Sequence, residues 1–99
     1  MANQTVRVVA RVVAMPEYVE QVKAILMELI EPTRPEKGCI QYQLLQNHTE
    51  PTDFTFVEEW TDNAALDAHL ASDHIETASA KLENLIASEP DIRLYKLLA

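Results

Sequence analysis

An α+β domain with the element order β-α-β-β-α-β is predicted from three observations. Residues 5–14 alternate with a period of two, two long stretches carry helical periodicity, and a pair of strand-like runs lies between those stretches. This order is the split βαβ arrangement of ferredoxin-like domains. In the first strand, TVRVVARVVA, Val6, Val8, Ala10, Val12 and Ala14 share one face, while Thr5, Arg7, Val9, Arg11 and Val13 share the other. Its β-branched residues suit a pleated, half-buried surface. Pro16 then fits the first turn of a helix, where its missing N–H costs nothing. Val19, Val22, Leu26, Leu29 and Ile30 recur at helical spacing. Pro32 and Pro35 are expected to end that helix, and Gly38 to supply a positive φ before the next strand.

The second strand is CIQYQLLQN (39–47), with Ile40, Tyr42 and Leu44 on one face. The polar stretch HTEPTD (48–53) leads to a third strand, DFTFVEEW, so the two form an antiparallel hairpin. In the following helical region Leu66, His69 and Leu70 share one face, as do Ile75, Ala78, Leu82, Leu85 and Ile86. Pro90 closes the region and DIRLYKLLA (91–99) is the last strand. Two helices cover only one face of such a sheet. Valines on both faces of the first strand therefore predict that the other face packs against a second copy, giving a homodimer.

Composition narrows the function. A chain of 99 residues reads as one domain spanning 1–99. Its net charge of −8, with only eight scattered basic residues, argues against a nucleic-acid partner. Cys39 is the only cysteine, so the chain can form no internal disulfide and no cysteine-based metal cluster. Gly38 is the only glycine, which excludes phosphate-cradling glycine loops. MANQTVRVV lacks the apolar core of a signal peptide, and no run approaches membrane-spanning length, so a cytoplasmic protein with no membrane partner is expected.

The chemistry concentrates in FTFVEEWTDNAALDAHLASDH (54–74). Phe54, Phe56, Glu58 and Trp60 point to one side of the third strand, which sets a carboxyl group among aromatic rings. Desolvation there raises a carboxyl pKa. His69 and His74 are five apart, a spacing of about 140° on an unbroken helix, whereas zinc-binding helices use a spacing of four. No metal and no flavin is expected. Asp73, followed three residues later by Glu76, resembles a capping box, so a new helix is expected at Asp73. The bend would turn both imidazoles toward one space. His69 is the first candidate base, His74 the second, and Glu58 the residue that orients one of them. Trp60, Tyr42 and Phe56 are the candidate substrate-binding rings. Taken singly, Trp60, Tyr42 and His69 also read as ordinary core, Glu58 as a residue near the sheet's end that reaches water, and His74 as an exposed first-turn residue.

Two motifs carry a family resemblance over most of the chain, from about Val6 to Leu97: E-P-T-R-x-E-x-G-C-x-x-Y, with Glu36 and Gly38, and E-x-W-x-D-x-x-A-L-x-x-H-x-x-S-x-H. They resemble the antibiotic biosynthesis monooxygenase family of small quinol monooxygenases. The resemblance implies a dimeric α/β barrel of two facing sheets and a pocket between sheet and helices in each subunit. It also implies oxygenation of an electron-rich phenolic substrate by O2 without metal or flavin. The site roles then fall on Glu58, Trp60, His69 and His74. Relatives that degrade haem use an Asn-Trp-His set, and the first strand here has no asparagine. Two other functions remain open at this stage. One is an isomerase or other proton-transfer enzyme on a small polar signalling or metabolic compound, phosphorylated or not, which would place Arg7 or Arg11 in the pocket. The other is a non-catalytic small-molecule-binding stress module, with the histidines buried and paired and no cavity beside them.

Overall fold

A computed structural model describes residues 4–99. The elements are β1 (Val6–Val13), a 3-10 turn (Pro16–Tyr18), α1 (Val19–Met27), α2 (Ile30–Thr33), β2 (Cys39–Gln46), β3 (Asp53–Trp60), α3 (Asn63–Leu70), α4 (Asp73–Leu82) and β4 (Asp91–Tyr95). The four strands form one sheet in the order β2-β3-β1-β4, and every neighbouring pair is antiparallel. This is the α+β ferredoxin-like fold, with each predicted helical region divided into two helices.

The register explains which face is covered. Val8 pairs with Glu58 and Ala10 with Phe56, so even-numbered residues of both central strands point to the helices. Val8, Val12, Val22, Leu26, Phe54, Trp60 and Leu66 are each at most 4% exposed. Full burial of each such side chain is worth about 1.5–3 kcal/mol. Arg7, Val9, Arg11 and Val13 line the open face instead. There Arg7 pairs with Glu59 at 3.5 Å and Arg11 with Asp53 at 2.9 Å.

Several boundaries differ from the sequence reading for local reasons. Pro32 does not end the first helical region. It lies in the first turn of α2, where no intrahelical N–H is needed. In β2 a bulge between Cys39 and Gln41 shifts the alternation. Cys39 takes the inward place opposite Trp60, and Ile40, expected beside Tyr42, is 51% exposed. The second helical region stops at Leu82, because Glu83 is extended and Asn84 adopts a left-handed φ of 69°. Leu85 and Ile86 run beside the end of β1 as a bridge, Met15 N–H donating to Leu85 O at 2.9 Å. The last strand ends at Tyr95 rather than Ala99.

The polar hairpin loop is organised by Asn47, whose Oδ1 accepts from the N–H groups of Thr49 and Glu50 at 3.0 and 3.2 Å. Gly38 has the expected positive φ, at 87°. Among the described residues no helix is long and apolar enough to cross a membrane.

Candidate functional site

Between α3 and α4 the chain bends at Ala71 and Ser72. Ser72 has extended backbone and is the N-cap of α4, and its hydroxyl donates to His69 O at 2.6 Å. The expected capping box at Asp73 does not form, since Asp73 is already helical and the cap makes no side-chain bond to α4. The hydroxyl instead closes the end of α3. The bend still turns both imidazoles toward one group, and that group is Glu36.

Glu36 lies in the loop before β2. Its Oε2 is 2.9 Å from His69 Nδ1 and 2.7 Å from His74 Nε2. A carboxylate only accepts hydrogen bonds, so both nitrogens donate to it. Ser72 Oγ, 3.2 Å from His74 Nε2, spends its own proton on His69 O and also accepts from that nitrogen. In the neutral ring this fixes the Nδ1–H tautomer of His69 and leaves the lone pair on Nε2, which has no hydrogen-bond partner among the described residues. The sequence reading gave this orienting role to Glu58. Glu58 serves a different partner: its Oε1 accepts from Trp60 Nε1 at 2.9 Å.

His69 is 2% exposed and packed between rings, with centroids 4.7 Å from Trp60 and 5.4 Å from Tyr42. Tyr42 stacks on Phe56 at 4.9 Å. A cavity of about 90 Å³ between sheet and helices is bordered by Tyr42, Phe56, Glu58 and His69. Its outer end lies between Ser79 of α4 and Pro90 and Ile92 at the start of β4. Trp60 and His74 do not border it. Trp60 is fully buried beside His69, and His74 faces a separate groove of about 380 Å³ between α1 and α4. Arg7 and Arg11 lie on the opposite face of the sheet.

Burial raises the Glu58 carboxyl above its ordinary range, against the opposing pull of the Trp60 hydrogen bond and the His69 ring. Burial, reinforced by the nearby Glu58 charge, pushes the Tyr42 phenol strongly upward, so it stays protonated. The cavity therefore presents one imidazole acceptor, one phenol and one desolvated carboxyl on otherwise apolar walls. That set can take a proton from a small hydroxylated ring and hold the ring by stacking.

The sequence profile of the antibiotic biosynthesis monooxygenase family matches residues 5–81. The chain belongs to this family. It is 32% identical over 96 residues to the uncharacterised protein sll1783 of Synechocystis, covering 97% of this chain but only 65% of that longer protein. It is 30% identical over 77 residues to YcnE of Bacillus subtilis, which carries a provisional monooxygenase name, covering 78% of this chain and 81% of YcnE. The crystal structure of PA3566 from Pseudomonas aeruginosa superposes with a TM-score of 0.91 at 31% identity, covering 97% of this chain and 96% of the other.

Glu36 was quoted in a family motif but given no role. Nothing in the residue pattern singles it out, since Glu36 lies beside Lys37 in a loop with no helical or strand periodicity.

Proposed function

We propose that this family member is a cofactor-independent monooxygenase acting on a quinol-like or other electron-rich phenolic compound. The observation that supports it is that His69 borders the cavity, with Nδ1 held by Glu36 and Nε2 without a partner among the described residues. A carboxylate behind an imidazole selects the tautomer and stabilises the imidazolium that forms on proton transfer. His69 takes the phenolic proton at Nε2, and the resulting anion is electron-rich enough to reduce O2 itself. One oxygen atom enters the product and the other leaves as water, with all four electrons coming from the substrate. Tyr42 and Phe56 supply stacking surface, and the apolar walls exclude bulk water from the anion.

The cavity volume limits the substrate. At about 90 Å³ it is below the ~150 Å³ that holds a benzene molecule. A substrate ring must therefore widen the cavity or project through the end between α4 and β4. The phosphorylated-substrate reading loses its anion site, because Arg7 and Arg11 lie across the sheet. The non-catalytic reading predicts no cavity beside the paired histidines.

The test is oxygen uptake with a panel of hydroquinones, with and without chelator. A positioned base contributes about 10²–10⁴-fold in rate. His69→Ala is expected to lose activity by that order while the fold persists. Turnover by His69→Ala near the wild-type rate would remove His69 as the base, and retained activity in the His69→Ala, His74→Ala double variant would make both imidazoles structural.

A further inference from the structure

The histidine spacing that speaks against a helix-borne metal pair is overridden by the bend at Ser72. Glu36, His69 and His74 each direct one donor atom inward, and the three atoms lie within 4.8 Å of one another. We propose that these three side chains form a site for a divalent first-row cation of the zinc type. Two imidazole nitrogens and one carboxylate oxygen are a donor set that zinc takes at about 2.0–2.2 Å, with a fourth position left to water. Tetrahedral geometry at those lengths separates donors by roughly 3.3 Å. The Glu36 oxygen already lies 2.7 and 2.9 Å from the two nitrogens. The Glu36 oxygen therefore has to draw back from each nitrogen by about half an ångström to make room for the ion, with the two nitrogens, within 4.8 Å of each other, settling at the tetrahedral separation.

The surroundings suit a site with one open side. His69 is fixed by Trp60 and Tyr42, and His74 by the first turn of α4. Access runs through the groove between α1 and α4, where His74 is 24% exposed. Asp73 also lines that groove and adds negative charge at its mouth.

Occupation has a definite chemical consequence. In the metal-free protein both ligating nitrogens carry protons that they donate to Glu36. To bind the ion, each imidazole shifts its proton to its other nitrogen. For His69 this places the proton on Nε2, the atom proposed above to take the substrate proton. Where His69 is the base, as proposed above, the bound ion therefore switches it off without entering the cavity.

The experiment titrates chelator-treated, dialysed protein with Zn2+ by calorimetry and with Co2+ by visible absorption. One ion per chain is expected, with the stronger d–d band of a four-coordinate cobalt site. Glu36→Gln and His74→Ala are each expected to weaken binding by at least about tenfold, while His48→Ala, in the exposed hairpin loop, leaves it unchanged. Circular dichroism identifies any variant that fails to fold, and the partly exposed His74→Ala carries the test if Glu36→Gln does. Absence of saturable binding, or equal binding by folded variants and wild type, overturns the site. Oxygen uptake by the metal-free protein reads the base separately: an active protein that binds no ion overturns the site alone. An inactive protein that binds through the triad overturns the monooxygenase reading alone.

Discussion

Glu58 shows how a single side chain can be retained at a cost to stability. It is 4% exposed, and its folded pKa is raised, chiefly by burial. Below the unfolded carboxylate range the group is protonated in both states and costs nothing. As pH rises through that range the unfolded chain releases its proton first, so stability falls until the folded group has also ionised. Glu58→Gln keeps an acceptor for Trp60 Nε1 and removes the charge. It is expected to raise Tm at neutral pH, with the gain vanishing in acid; denaturation at a series of pH values measures both. An equal gain at all pH values would mean that packing, not charge, sets the cost. Trp60→Ala is the opposite case. The indole is fully buried and does not border the cavity, so the change is expected to cost about 3–5 kcal/mol and to appear in urea unfolding rather than as weakened substrate binding. Some of this was legible in the sequence. His69 sits at the edge of an apolar helical stripe and Glu58 in an alternating strand, so periodicity placed both. Glu36 meets its two partners 33 and 38 residues away through an irregular loop, where no period exists to read.

The elements follow the same division. β1 and β3 were legible because their alternation is unbroken over eight residues each. The bulge in β2 and the turn at Asn84 were not, because each depends on how the flanking chain must meet β3 or β1. Gly38 was legible from the absence of any other glycine, and the fold adds a second reason for it. A Cβ at this position would lie 2.5 Å from Ala65 Cβ and 2.6 Å from Thr61 Oγ1, so α3 closes directly over the loop. Gly38 O also accepts from Thr61 N–H at 2.9 Å, fastening the start of β2 to the end of β3. The loop that carries Glu36 is therefore anchored at Gly38. Gly38→Ala is expected to cost at least about 1–3 kcal/mol from the backbone conformation alone, read by urea unfolding. If the chain still folds, His69 is expected to lose its Nδ1–H preference as Glu36 shifts, which nitrogen-15 correlation spectra detect. An unchanged midpoint would show that α3 and the loop separate easily.

At the scale of the whole molecule the open sheet face decides assembly. Four helices pack on one face, over β1, β2 and β3, and leave Ile92 and Leu94 of β4 exposed. The other carries Val9 at 37%, Leu45 at 51% and Tyr95 at 50% exposure, set among Arg7, Arg11 and Glu59. Arg7 Nε is buried with no partner among the described residues, and a buried N–H of this kind ordinarily finds one. A second copy packed face to face would cover the apolar residues and bring acceptors such as its own Glu59 near that nitrogen. Self-complementary packing about a two-fold axis needs no other surface. Stable interfaces of this kind bury about 1,200–2,000 Å² in total, which a four-stranded face can supply. Sedimentation is therefore expected to show a dimer at micromolar concentration, with a Tm that rises with protein concentration. Val9→Lys places a like charge at the centre of the face, opposite Arg93 and Val57 of the same sheet and between Arg7 and Arg11. An uncompensated charge buried in the dimer costs about 3–5 kcal/mol, so the dissociation constant is expected to rise by roughly a hundredfold or more. The helix-side core is untouched, and the dissociated chain should keep its circular dichroism. A wild-type chain that sediments as a monomer at these concentrations would remove the dimer, and a Val9→Lys dimer of unchanged affinity would move the interface elsewhere.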